Sequence, residues 1–332
     1  MAAVCINMTV NWQGRSIKSL DKLVFFRKKI EQLLGIEIPI THFVNPRYWL
    51  TEPEQMNKVF YKVYRPGLDE IALQVNCWHD LVKAAGVKPM LGRSLSIEDN
   101  GYSTPLGIYS TKSVNDIIAF SKALLQQNLQ QIKITGFRCG CWLASDKVLT
   151  ALMHNNFHYD SSAVPPVIFS NGYSKSTFGS GQSLRGLASP SGGYARFYQL
   201  INQLWGYYET PAPSECRNQL SRLWNPQSAI TSMSQPYRIT QGKYRLMQLP
   251  NNGGMADFVT DKYLIECFTG LQKKPASAGV QFLNLACQQE TAGQALSSLL
   301  PLFYFIKNKE RHGVLPRFLT LTASNVISTS LL

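Results

Sequence analysis

Residues 136–162 read GFRCGCWLASDKVLTALMHNNFHYDSS. The segment just before and into this stretch, Ile132 to Phe137, is short and β-prone, and Ser145 can cap a helix running to about Asn155. A strand therefore turns into a helix here, with Arg138 and Trp142 in the turn. The same alternation extends outward. Upstream, strands are expected at 4–10, 38–44 and 71–75, and helices at 17–34, 52–63, 79–86 and 113–130. In 17–34 the apolar residues recur at helical spacing and Gly35 stops the pattern. Downstream, strands are expected at 244–249, 280–287 and 318–322, and helices near 256–270 and 292–308. Strand and helix alternating end to end predict an α/β fold with a mainly parallel sheet. About seven such units predict a barrel rather than an open sheet, with chemistry where strands run into loops at their carboxyl ends.

Composition narrows the class. The chain has 332 residues, 45% hydrophobic and 16% charged, which is a globular balance. It is read as one barrel domain over 1–332, with a Gly/Ser-rich loop at 169–195 that is either a disordered excursion or a substrate-covering loop. No apolar run has the ~20 residues a membrane span needs; the best candidate, Leu299 to Ile306, contains Pro301. The amino terminus reads as an immediate strand rather than a signal peptide, and the cysteines number seven, an odd and scattered set. Reduced thiols and a cytoplasmic location are the expectation. The net charge of +13 allows an anionic partner. Its densest clusters, Arg27 to Lys29 and 307–317, read as solvated helix ends, so no nucleic-acid partner is expected.

Phosphate-loop, dinucleotide, nucleophile-elbow and HExxH motifs are absent. His154 and His158 stand four apart and could form a metal pair with Asp160 as third ligand, or be two partly exposed histidines. Cys139 and Cys141 could bind metal or be ordinary thiols.

The 136–162 stretch closely resembles the GFRAGxW…ALxxxGFxYDSS segment of the polysaccharide deacetylase (NodB-homology) family. Further stretches resemble one branch of it, in order along the chain: TVNWQG at 9–14, THFVNPRYW at 41–49, EIALQVNCWHDLVKAAGV at 70–87, QPYR at 235–238, LPNNGGMAD at 249–257 and QQETA at 288–292. The resemblance implies a distorted (β/α)7 barrel of the glycoside hydrolase/deacetylase type. It also implies metal-dependent removal of acetyl groups from sugars. An Asp and two His hold the metal, a carboxylate takes a proton from water, a late His protonates the leaving group, and an Arg orients the base.

At the positions the resemblance marks, this chain has Asn11 for Asp, Gln13 for Glu, Gln74 and Asn76 for the two His, and Gln288 for the late His. Arg138, Trp142 and Asp160 are retained. An amide is a weak ligand for zinc-like ions and has no proton to exchange near neutral pH. Five such exchanges imply that the chemistry is lost while the pocket keeps its shape and its hydrogen bonding. The expected ligand is a carbohydrate, acidic or acetylated, bound by Asn11, Gln13, Gln74, Asn76, Arg138, Trp142, Asp160 and Gln288, with Trp142 stacking on a sugar face; no metal cofactor is expected. Arg138 either binds an anion or bridges to Asp160. One alternative is an active deacetylase whose zinc or similar ion uses spare groups: His79 first, then Asp80, Asp160, Asp257 and Glu290, with Cys77, Cys139 or Cys287. A third reading is a protein-interaction module presenting the 169–195 loop.

Overall fold

The computed structural model describes residues 1–15, 20–51, 53–90, 100–102, 104–129, 132–165, 230–257, 259–311, 319–320 and 322–330. The 169–195 loop lies outside the described residues. Strands β1 (Val4–Trp12), β2 (Ile40–Val44), β3 (Glu70–Val75), β4 (Gly136–Cys139) and β5 (Tyr159–Asp160) come first. Between them stand helices α1 (Leu20–Leu34), α2 (Pro53–Phe60), α3 (His79–Ala84), α4 (Thr111–Asn128) and α5 (Asp146–His154). Then follow β6 (Tyr237–Gln241), β7 (Tyr244–Gln248), α6 (Asp261–Gln272), β8 (Gln281–Gln288), α7 (Ala292–Arg311), β9 (Leu319–Thr320) and α8 (Ala323–Ser330).

The sheet runs β6-β7-β5-β4-β3-β2-β1-β8, with β9 beside β1. Every pairing is parallel except the β6–β7 hairpin. The sheet curls until the segment after β7 closes it onto β8. Leu249 and Asn251 donate their backbone N–H groups to Asp160 and Ala163 at 2.8 and 2.7 Å, continuing the β5 ladder. Gly253 and Ala256 donate to Asn284 and Ala286 of β8 at 2.9 and 2.7 Å. Amide side chains complete the seam where the backbone is irregular. Asn252 Nδ2 donates to the Phe282 carbonyl at 2.8 Å, Asn252 Oδ1 accepts from Asn284 N at 2.8 Å, and Gln235 Oε1 accepts from Phe282 N at 2.7 Å. The result is a distorted parallel barrel.

Two apolar layers follow from this closure. Outside the sheet, residues such as Ile6, Trp12, Leu73 and Phe137 pack under the helices. Inside it, Cys5, Phe43, Ala72, Tyr159, Leu249 and Phe282 form a smaller core with Ala323, Val326 and Ile327 of α8. Helix α8 therefore plugs the amino-terminal end of the barrel. Glu70 holds it there, accepting from Ser324 N at 2.8 Å and from the Tyr159 hydroxyl at 2.7 Å. The opposite end remains for a site.

A buried ionic chain braces the outer layer. Trp12 Nε1 donates to His42 Nδ1 at 3.1 Å, so His42 Nε2 carries the proton that faces Asp69 Oδ2 at 3.3 Å. Asp69 also takes both Arg27 Nη atoms, at 2.7 and 2.8 Å, and the Ile40 N–H at 3.0 Å. Burial alone would raise the Asp69 carboxyl, but His42 and Arg27 outweigh it and hold the group well below the usual carboxylate range.

The expected order of elements is present, with local differences. The 256–270 helix begins only at Asp261, because Thr260 caps it and the preceding residues belong to the seam. The β6–β7 hairpin and the two-residue β5 were not anticipated; β6 is largely exposed and β5 is too short to show a period. Among the described residues no helix is long and apolar enough to cross a membrane.

Candidate functional site

Pairing register places the marked residues. In parallel strands, partners in register point to the same side of the sheet. Asn11 is level with Phe43 on one side and Gln288 on the other, and Gln74 is level with Arg138. Arg138 shows which side this is: from β4 it bonds β1, which two strands separate from it, and that reach runs through the barrel interior. Asn11, Gln74, Arg138 and Gln288 thus form an inward-facing band at the carboxyl ends of the strands.

Arg138 is fully buried and anchors this band. Nη1 donates to Asn11 Oδ1 at 2.7 Å and to Thr9 Oγ1 at 2.9 Å. Nη2 and Nε donate to Ser161 Oγ and O at 2.8 and 3.0 Å. The guanidinium also lies 3.9 Å from the Phe43 ring centroid. Burial pushes its pKa down to about 9, against the opposing pull of Tyr159, Asp160 and Cys287. Four of its five N–H groups are committed to neutral protein acceptors, so Arg138 organises the floor of the site.

Asp160 sits differently. It is level with Phe137, which packs in the outer layer, and its carboxylate accepts from Ser162 Oγ at 2.6 Å and Ser162 N at 3.1 Å. Ser162 Oγ in turn accepts from Cys139 N at 2.8 Å, which ties β4 to β5. Burial raises the Asp160 carboxyl to about 6. The hydrogen bonds of Arg138 go to Thr9, Asn11 and Ser161 rather than to Asp160.

Gln74 lies on the inward face of β3 and Asn76 just past the strand's end, and they are 3% and 2% exposed. Gln74 Oε1 and Asn76 Oδ1 are buried without a hydrogen-bond partner. An acceptor left unpaired in the interior costs about 1–3 kcal/mol, so such a pair asks for a donor from outside the chain. Gly140 makes room beside them: a Cβ there would stand 2.7 Å from the Val75 carbonyl and 2.9 Å from Asn76 Nδ2.

Aromatic residues build the rim. Gln13 accepts from the Tyr102 hydroxyl through Oε1, and its backbone carbonyl accepts from Trp78 Nε1 at 2.7 Å. Tyr102 and Trp78 have centroids 5.1 Å apart. Arg15 caps Tyr102 at 3.9 Å and Arg47 caps Trp78 at 4.0 Å. Trp142 has a left-handed backbone, with φ of 57°, and is partly buried against the outer core. A bulky residue held there is strained in a way that recurs at functional sites. Beside Gln288, Asp257 accepts from Gln288 N at 3.1 Å and from the Thr291 hydroxyl. Two residues on, both Glu290 oxygens are buried without a hydrogen-bond partner. Burial lifts the Glu290 carboxyl to about 7; Arg15 opposes the rise and Asp257 adds to it. Tyr48 lies in the 41–49 stretch but is not among the positions the resemblance marks, and Tyr102 lies in none of the stretches that carry the resemblance.

These donors do not suit a zinc-like ion. Asn11 Oδ1 is occupied by Arg138, and Gln74 and Asn76 offer only neutral carbonyl oxygens in a pocket floored by a buried guanidinium. Among the described residues no group of three His, Cys, Asp or Glu side chains is placed to hold a metal. His79 opens α3 and lies against Gly101, and Asp80 is bound by Arg47 Nε at 2.7 Å. His154 packs edge-on against Tyr244 at 4.9 Å, and burial, with Lys133 and Lys122, lowers the His158 pKa. Cys77, Cys139 and Cys287 are buried and outside any disulfide.

No protein-family model matches the sequence, and no curated protein matches it. Solved structures do. A protein assigned as a polysaccharide deacetylase from Mycobacterium smegmatis superposes with a TM-score of 0.52 at 11% identity, over 99% of this chain and 90% of that one. PuuE allantoinase gives 0.49 at 10% identity, over 98% and 89%. A polysaccharide deacetylase-type protein from Pseudomonas aeruginosa PAO1 gives 0.46 at 10%, over 98% and 90%. Only the first is near enough to speak for architecture, and at its identity it speaks for architecture alone. The chain has the distorted parallel-barrel fold of that polysaccharide deacetylase-type structure.

Proposed function

We propose that the carboxyl end of this barrel recognises a carbohydrate without hydrolysing it. The observation that carries the reading is the contact between Arg138 and Asn11, at 2.7 Å. The resemblance implies an Arg that orients a carboxylate; here the arginine holds an amide, which cannot exchange a proton near neutral pH. Gln74 and Asn76 extend the same change along β3, and their unpaired carbonyls suit sugar hydroxyls. Tyr102 and Trp78 form an aromatic rim beside these groups.

One observation favours the second reading, an active deacetylase with altered groups. Glu290 has its pKa lifted to about 7, where a carboxyl exchanges protons readily at neutral pH. The interaction-module reading concerns the 169–195 loop, outside the described residues.

Metal analysis of the purified protein, combined with an acetate-release assay on acetylated oligosaccharides and calorimetric binding of the same compounds, separates these readings. Binding without acetate release, and without stoichiometric zinc, is expected. Turnover that depends on a tightly bound divalent metal overturns the proposal.

A further inference from the structure

The unpaired atoms of Gln74, Asn76 and Glu290 are all acceptors: two amide carbonyl oxygens and two carboxylate oxygens. A ligand that satisfies them brings hydrogens. An acidic glycan would place more acceptors opposite them, and an acetamide carries a single N–H. A sugar with hydroxyls and a free, protonated amine brings several donors and one positive charge.

The surroundings of Glu290 favour the charge. Its carboxyl lies at the end of β8, where Asp257 adds negative field and the Tyr48 phenol feels the Glu290 charge. Among the described residues Arg15 is the cation acting on Glu290, and its guanidinium is stacked on Tyr102. Tyr48 also feels Tyr102, which joins the phenols, Gln13 and Glu290 into one rim. A cation entering such a rim gains a carboxylate.

We propose that Glu290 is an ammonium-binding group at the barrel mouth, so that the ligand is an amino sugar with a free amine rather than an acetylated or acidic one. This rests on the carbohydrate reading above and names its ligand class. Glu290 holds the ammonium, and the Gln74 and Asn76 carbonyls accept from hydroxyls deeper in the pocket. The carboxyl is ionised only above its raised pKa of about 7, and a sugar amine, like an α-amino group, is protonated only below about 8, so amine binding peaks near about pH 7.5 and falls toward about pH 5.5 on one side and about pH 9 on the other. The groups acting on Glu290 across this range are Asp257, Arg15 and Tyr48.

The test is calorimetric titration of the full chain with three tetrasaccharides: β-1,4-linked glucosamine, its N-acetylated form, and galacturonate. The glucosamine tetramer is expected to bind about tenfold more tightly than the other two near about pH 7.5, and to lose most of that preference near about pH 5.5 and near about pH 9. Glu290→Gln should abolish the preference while its thermal unfolding shows an intact fold; should it fail to fold, the pH series on the unaltered chain decides alone. Equal or tighter binding of the acetylated or acidic tetramer overturns the amine assignment and leaves carbohydrate recognition standing. A folded Glu290→Gln protein with its preference unchanged also overturns it. Binding of none of the three overturns both readings.

Discussion

Arg138, on the fourth strand, gives its Nη1 proton to Asn11 Oδ1 on the first, across the barrel at 2.7 Å. A guanidinium with no exposed surface is thereby held by neutral acceptors. Asn11→Asp should replace one of them with a carboxylate and convert the contact to a charge-assisted bond worth about 1.5–3 kcal/mol, against the cost of burying the new charge. The expected outcome at neutral pH is an unchanged or raised melting temperature. Arg138→Met should cost about 3 kcal/mol, because Thr9, Asn11 and Ser161 lose their donors. Urea titration of both variants checks this; a strongly destabilised Asn11→Asp would contradict the geometry.

Glu290 makes stability fall with rising pH. Its folded-state pKa of about 7 lies above the ordinary carboxyl value of 4.5. The folded form resists ionisation, so the cost is absent below the unfolded pKa, grows as the pH rises, and is complete above the folded pKa. Glu290→Gln should therefore be more stable than the unaltered protein near pH 8, by on the order of 2–3 kcal/mol, and equal to it near pH 4. Denaturant melts at the two pH values check the sign. A variant less stable near pH 8 would mean that the carboxylate has a partner in the fold.

Asp69 has the opposite sign. Its folded pKa is depressed by His42 and Arg27 in spite of burial. The stability it supplies is present above the unfolded pKa of about 4 and is lost as the pH falls from there toward the folded value. Asp69→Asn should cost about 3 kcal/mol at neutral pH, because both Nη atoms of buried Arg27 lose their carboxylate and Glu31, on Nε at 3.1 Å, is left to balance the charge. It should also flatten the acid limb of the stability curve between about pH 5 and pH 3. An acid limb unchanged in the variant would assign acid sensitivity to other groups.

The barrel was legible because its strands are buried on both faces and read as short apolar runs between periodic helices, as in Val4–Trp12 and Ile71–Val75. Its closure was not. The seam after β7 is made by Asn252, Asn284 and Gln235 side chains, which no periodicity reveals. Within the site, the resemblance marked Asn11, Gln74, Arg138 and Gln288, and register puts them on one face. It could not separate Asp160, whose motif partner Ser162 keeps it beside β4 and β5. Nor could it show that four of the five Arg138 N–H groups are spent within the chain, since which donors are already used is a property of packing.

The amide pocket also predicts what restoring ligands would do. Asn11, Gln74 and Asn76 stand at the positions where the resemblance implies one Asp and two His. Changing all three (Asn11→Asp, Gln74→His, Asn76→His) supplies one carboxylate and two imidazoles, the donor set of many open zinc sites. Gln74 and Asn76 have no partners to lose at Oε1 and Oδ1, so the imidazoles break no hydrogen bond at those atoms. Gly140 leaves the space beside position 76 that a larger ring needs, and Gly140→Ala in the same background should close it, because its Cβ would stand 2.9 Å from Asn76 Nδ2. The triple variant is expected to bind zinc at one equivalent and to gain thermal stability with added metal, since an ion that binds only the folded state shifts unfolding by mass action. The unaltered protein and the variant carrying Gly140→Ala should show neither. Zinc titration followed by melting decides it: a triple variant that folds yet ignores zinc would show that these three positions do not converge on one point.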